Sequence, residues 1–223
     1  MATDTSPHRL IVITGTGTEV GKTWVGAHLL DELRSTGMAV SARKPVQSFA
    51  PGDPTTDAHE LARATGEPVT DVCPHHRWYE VAMAPPMAAS ALGRPAFTVA
   101  ELAAELAWPF PAPDVGVVEP AGGVRSPLAA DGDTISLVEE LQPDLVVVVA
   151  DAGLGTINGV RLAMEALDRG AHVAALHVVL NRYDGTDDLH RRNLTWLTSI
   201  DGFSVHTTVS GLADVVRGPR PAG

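Results

Sequence analysis

Thiols are almost missing from this 223-residue chain, since Cys73 is its only cysteine. That excludes a disulfide framework and fits a reducing compartment. Lysine is nearly as scarce: Lys22 and Lys44 are the whole supply, against many arginines. No apolar run reaches the length of a membrane span. The opening MATDTSPHR has no hydrophobic signal region, which predicts a cytoplasmic protein. Positive charge is outnumbered, with 16 Lys and Arg against 27 Asp and Glu and a net charge of -11. Such a balance disfavours a nucleic-acid or anionic-membrane partner. No repeat or low-complexity tract is present. Residues 1–8 read as a loose tail and 1–223 as a single domain, long enough to bury a large core.

The informative stretch is Leu10–Trp24, LIVITGTGTEVGKTW. An apolar strand feeds a Gly/Thr-rich turn that ends in Gly21-Lys22-Thr23 and opens a helix. This is a phosphate-binding loop. Glycines let backbone N–H groups converge on an anion, and the positive helix end points the same way. Lys22 adds a full charge near the terminal phosphates, and Thr23 offers a hydroxyl to magnesium. The pattern G-x-x-x-x-G-K-[ST] asks for glycine at position 16. Thr16 stands there, with Gly15 and Gly17 on either side.

Alternating signals follow. Strands are expected near Arg9–Thr14, Met38–Arg43, Asp114–Glu119, Leu145–Ala150, Val173–Leu180 and Phe203–Val209. Helices are expected at Lys22–Ser35, Thr55–Ala64, Ala84–Leu92, Thr134–Leu141, Ile157–Arg169 and Asp187–Ser199, with another opened by the Thr98/Glu101 capping box. Thr55 or Thr56 caps the second helix. Ser48–Pro54 reads as a loop, and Val69–Tyr79 has no clear pattern. Four consecutive valines, Val146–Val149, suit a parallel strand covered on both faces. The sum is an α/β fold: a doubly wound, mostly parallel sheet with helices on both faces, of the P-loop NTPase type.

In such sheets ligands bind beyond the carboxyl ends of the strands. That rule selects the phosphate loop, Lys44-Pro45, Glu119-Pro120, Asp151-Ala152-Gly153 and Asn181-Arg182. Magnesium beside a triphosphate needs oxygen ligands. Thr23 is one and Glu119 a second. Asp57 is either a third or a helix N-terminal acid favoured by the dipole. Lys44, locked by Pro45, is placed to neutralise a transferring phosphoryl group. His75-His76 lack a third ligand at metal spacing and read as surface residues.

In order, Gly15–Thr23, Lys44-Pro45-Val46, Glu119–Gly123 and Gly153–Asn158 resemble dethiobiotin synthetase over nearly the whole length, as do Ala84-Pro85 and Gly93-Arg94-Pro95. That family also has five residues between the first glycine of its loop and the GK pair. The resemblance implies an ATP-dependent cyclo-ligase that forms dethiobiotin from 7,8-diaminononanoate and carbon dioxide, through a carbamate and a carbamic-phosphoric anhydride. It implies Lys44 and Lys22 as catalytic lysines. Glu19, Val20, Gly21, Lys22, Thr23 and Trp24 would hold phosphates. Pro120, Ala121, Gly122, Asn181 and Arg182 would complete the nucleotide site, with Asn181 at the base. Thr23, Asp57 and Glu119 would ligate Mg2+. Thr18 and Ser48 would meet the carbamate. Thr156, Ile157 and Asn158 would receive the substrate carboxylate across a homodimer interface. The chain departs from the family at Pro120, which replaces a glycine, and at Phe49, where a small residue is usual. No counterpart of the family's C-terminal nucleotide loop is legible in Val205–Leu212.

A second class has the same fold: nucleotide-switched ATPases of the partition or septum-site type, which act through a protein partner. They carry a lysine early in the loop, where this chain has Thr16, and often a basic patch.

Overall fold

The computed structural model describes residues 5–171, 173 and 175–219. The first four residues of the expected tail and two positions of the expected Val173–Leu180 segment or its flank, His172 and Ala174, lie outside the described residues. His8 N already donates to Pro113 O at 2.9 Å, so the described end of the tail is tied to the body.

The chain runs β1 (Arg9–Gly15), α1 (Lys22–Ser35), β2 (Val40–Arg43), β3 (Gln47–Ser48), α2 (Asp57–Thr65) and α3 (Val69–Val72). It continues through β4 (Trp78–Tyr79), α4 (Pro85–Ala91), α5 (Val99–Ala104), β5 (Val115–Val118), α6 (Thr134–Leu141) and β6 (Leu145–Asp151). The last elements are α7 (Thr156–Gly170), β7 (Leu176–Asn181), α8 (Asp188–Thr195), a π-helical turn (Trp196–Ile200), β8 (Ser204–His206) and α9 (Val209–Arg217).

Six strands form one sheet in the order β2-β5-β1-β6-β7-β8, and every pairing is parallel. β1 lies between β5 and β6, with Ile11 opposite Val117 on one side and Leu145 on the other. The chain leaves β1 toward one edge and later fills the other. The carboxyl end of β1 is therefore the switch point where such sheets bind ligands.

Side-chain alternation divides the interior in two. Val12, Val146, Val148 and Ala150 join one core, with α6 and α7. Ile11, Ile13, Val147 and Val149 join the other, with α1, α2 and α9. The valine run of β6 is thus covered on both faces, as expected of a central parallel strand. On α1, Val25, Leu29 and Leu33 bury one stripe. The chain then turns at Gly37, whose φ of 89° a side chain would resist. Glu67 finishes the edge strand β2. It accepts from Ser41 Oγ at 2.6 Å and Ala42 N at 3.0 Å, and pairs with Arg43 at 2.9 Å. A covered edge resists pairing with another chain.

Two open points are settled and two expectations corrected in detail. Thr56, with its N–H 3.2 Å from His59 Nδ1, is the cap of α2 rather than Thr55. The unassigned Val69–Tyr79 segment holds α3, a 3-10 turn and β4, which pairs with β3, whose last residue, Ser48, is the first of the expected Ser48–Pro54 loop. β8 stops at His206, because Thr208 caps a helix that alternation did not disclose, its hydroxyl accepting from Gly211 N. The expected helix Asp187–Ser199 loosens into the π-turn after Thr195.

Candidate active site

Gly21 sits at φ 92° before the first residue of α1, and a Cβ there would collide with the Asn181 amide. Glycine therefore permits the turn that aims the amides of the loop at an anion. Asn181 Nδ2 donates to Val20 O at 3.0 Å, and Arg182 to Glu19 O at 3.2 Å. Glu19 and Arg182 both adopt left-handed backbone, with φ of 62° and 56°. Such strain in residues other than glycine concentrates at ligand sites. Lys22 Nζ meets Gly17 O at 3.0 Å, so its side chain folds back along the loop.

Behind the loop lies a four-membered polar cluster drawn from α1, β2, α2 and β5. Thr23 Oγ1 is 3.0 Å from Asp57 Oδ1 and 2.9 Å from Glu119 Oε1. Lys44 Nζ donates to Asp57 Oδ2 at 2.6 Å and to Glu119 Oε1 at 2.7 Å. Glu119 is 0% exposed and Lys44 1%. Glu119 Oε2 is buried with no hydrogen-bond partner. Burial pulls the Lys44 ammonium down, but Asp57 and Glu119 outweigh it and hold it above the ordinary lysine value. Lys44 in turn holds the Asp57 carboxyl low. Burial pushes the Glu119 carboxyl up, with Lys44 opposing, and pulls the Lys22 ammonium down, with Glu119 opposing.

This cluster opens into a cleft of about 950 Å³. Of the residues singled out in the sequence, Thr18, Glu19, Gly21, Lys22, Thr23, Lys44, Ser48, Asp57, Ala121, Gly122 and Arg182 line it. Ser48 Oγ donates to Met83 O at 2.6 Å, both residues lining the cleft. Pro120 is buried and is not part of the lining. A second hollow of about 370 Å³ continues past Gly21 to Trp24, Asn181, Arg182 and Tyr183, closed by Thr207, Thr208 and Val209. That wall lies within Val205–Leu212, where the sequence shows no counterpart of the family's C-terminal nucleotide loop.

Thr156, Ile157 and Asn158 do not line the cleft. They form the first turn of α7, where Gly159 faces the Thr16 side chain. The Thr156 hydroxyl is buried and without a partner. Sequence reasoning missed Gln47, Phe49, Asp53 and Met83, all in the cleft wall. Their signal is faint because they sit on short or irregular backbone. Gln47 Oε1 accepts from Ala58 N at 3.2 Å, which steadies the turn beside Asp57. Cys73 is a core residue, its thiol pushed up to about 12 by burial. His76 pairs with Glu105, and no cluster of metal-binding type occurs among the described residues apart from the oxygens named above.

A glycine loop between β1 and α1, a lysine where it meets the helix, and a carboxylate just past the end of a parallel strand define a P-loop nucleotide-binding protein. The family model described as an AAA domain matches residues 9–217. Among relatives, the ATP-dependent dethiobiotin synthetase BioD of Anaeromyxobacter sp. (strain K) is 40% identical over 81% of this chain and 79% of its own. That of Haloferax mediterranei is 36% identical over 87% and 81%, and that of Rhodococcus jostii 36% over 88% and 84%. The chain belongs to the dethiobiotin synthetase family. Of solved structures, a plasmid partition protein from Borrelia burgdorferi has a TM-score of 0.54 at 13% identity, over 95% of this chain and 96% of that one. At that identity the likeness is one of fold alone.

Proposed function

We propose that the protein closes the ureido ring of dethiobiotin from 7,8-diaminononanoate, carbon dioxide and ATP. The observation that carries this reading is Lys44, buried between Asp57 and Glu119 at the floor of a cleft that begins at the phosphate loop. A nucleotide switch needs phosphate and metal contacts. A second, fully buried lysine aimed at the same place suits a reaction in which negative charge moves between two substrates.

Carbon dioxide adds to one amine of the diamine, giving a carbamate. A carbamate oxygen attacks the γ-phosphorus, the bond to ADP breaks, and a carbamic-phosphoric anhydride forms. The second amine attacks the anhydride carbonyl, the ring closes and phosphate leaves. Lys22 and the amides of Glu19–Trp24 hold the phosphates. Lys44 balances charge on carbamate and phosphoryl oxygens. Thr18 and Ser48, both in the cleft lining, orient the carbamate. Asn181, Arg182 and the wall Thr207–Val209 shape the hollow for the base. Phe49, Ala82, Met83 and Pro85 give the cleft an apolar side that excludes water from the anhydride.

Thr23, Asp57 and Glu119 fit a magnesium ion. Hard oxygen donors converge there, and the buried, unpartnered Glu119 Oε2 is costly until a cation meets it. When bound, the ion supplies charge stabilisation to the phosphates.

The α7 turn accounts for the other end of the substrate. The Thr156 hydroxyl has no partner and the helix end favours an anion. Leu154 is 92% exposed, and Leu162, Trp196 and Ile200 are exposed nearby. Arg161 joins these segments, pairing with Asp201 at 2.6 Å and stacking over Trp196. We assign this apolar face to a homodimer, which brings Thr156–Asn158 of one subunit to the cleft of the other.

Steady-state ATP turnover tests the reading. The diamine with bicarbonate should stimulate ADP release, and added DNA or protein extract should not. Turnover that ignores the diamine but responds to a macromolecule contradicts it.

A further inference from the structure

We propose that the Lys44 ammonium and the divalent cation compete for the same carboxylates, so that loading the cation is what releases Lys44 into the cleft. The inference rests on reading Thr23, Asp57 and Glu119 as the cation's ligands. Three of the four carboxylate oxygens lie within hydrogen-bond distance of a donor, the single Thr23 hydroxyl being shared between two of them. Asp57 Oδ2 and Glu119 Oε1 hold Lys44 Nζ at 2.6 and 2.7 Å. Asp57 Oδ1 and Glu119 Oε1 lie at 3.0 and 2.9 Å from Thr23 Oγ1. Only Glu119 Oε2 is without a partner. An ammonium and a doubly charged ion on the same oxygens repel strongly in a buried site.

The way out for Lys44 is also defined. Its backbone N donates to Val72 O at 2.7 Å, and Pro45 fixes the next residue, so the main chain is held. The flexible stem must move instead. Lys44 is 1% exposed and its exposed part lines the cleft. Nζ therefore turns toward the phosphate loop, where carbamate and phosphoryl oxygens replace the carboxylates as its partners. Lys44 thus serves first as the counter-ion of Asp57 and Glu119, then as a ligand of the reacting anions. Lys22 makes no such contact: its Nζ donates to Gly17 O.

The test is Mn2+ binding, followed by electron paramagnetic resonance, without nucleotide. Lys44→Met should bind Mn2+ at least about tenfold more tightly than wild type, and Lys22→Met less than about threefold, because only the former vacates the oxygens. Equal affinities in Lys44→Met and wild type overturn the inference. So do equal gains in both variants, which would report loss of positive field alone. Lys44→Met/Glu119→Gln should lose the gain. If the gain persists there, the ion is not on Glu119, and the magnesium reading itself fails. Should Lys44→Met not fold, wild type gives a second readout. The chain has two lysines, so acetylation of each is readily separated by peptide mass. Mn2+ should accelerate labelling of Lys44, and an unchanged rate overturns the proposal.

Discussion

At the scale of single residues, charge is concentrated where solvent is scarce. Lys44 is stable as an ammonium only because Asp57 and Glu119 face it, and the fully buried Glu119 carboxylate in turn needs a cation, whereas Asp57 keeps half its side chain in solvent. Lys22→Ala and Lys44→Ala should each lower kcat/KM by about 100-fold, or ~2.7 kcal/mol, as for other lost charge-stabilising donors. Initial-rate measurement checks this, and a loss under tenfold in either variant removes that lysine from the chemistry. Gly21→Ala should raise the KM for ATP, since the added methyl meets Asn181 and forces a side chain into left-handed backbone. A nucleotide titration of that variant that matches wild type would contradict the role given to the turn. Lys22, Thr23, Lys44, Asp57 and Glu119 were legible because each follows or opens a regular element, where topology places ligands. Gln47, Phe49 and Asp53 were not. They lie on a two-residue strand and a loop, and their positions are fixed by contacts with Ala58, Trp78 and Ala50 that no local pattern encodes.

Among the elements, those with strong periodicity were legible nearly to the residue: α1 and α6 fall on their expected bounds. The valine run of β6 also announced its burial on both faces. The elements that escaped were short, such as β3 and β4, or followed another element without a break, such as α9. Their existence depends on tertiary contacts, as when Arg94 donates to Trp78 O at 2.6 Å and stacks over Tyr79 to hold β4. One pair of elements has a pH signature. His177 on β7 and His206 on β8 share a 2.8 Å bond between ring nitrogens. Burial pulls both imidazoles below the ordinary 6.5, and His177 adds to the effect on His206. Below 6.5 the unfolded chain binds these protons first, so stability is complete above 6.5 and declines as pH falls through the lowered values. Urea denaturation at several pH values should show that decline, and His206→Gln should flatten it. Equal pH slopes for wild type and variant would remove the pair from the account.

For the whole molecule, the proposed homodimer couples assembly to catalysis. Thr156–Asn158 lie outside the cleft of their own chain, so in the proposed homodimer the α7 helix end meets the substrate carboxylate of the other copy. Leu162→Glu in the exposed face around Leu154, Trp196 and Ile200 should yield a monomer by light scattering. It should also raise the KM for the diamine while leaving ATP binding near wild type. A monomeric variant with an unchanged diamine KM would separate assembly from the site. The acidic surface, with a net charge of -11, suits this assignment better than one requiring DNA or an anionic membrane. The central claim is tested most directly by incubating purified protein with 7,8-diaminononanoate, bicarbonate, ATP and Mg2+, and measuring dethiobiotin by mass spectrometry beside ADP. The account predicts dethiobiotin and ADP in equal amounts, with neither formed when the diamine is omitted. ADP without dethiobiotin, or no turnover of either, would contradict it.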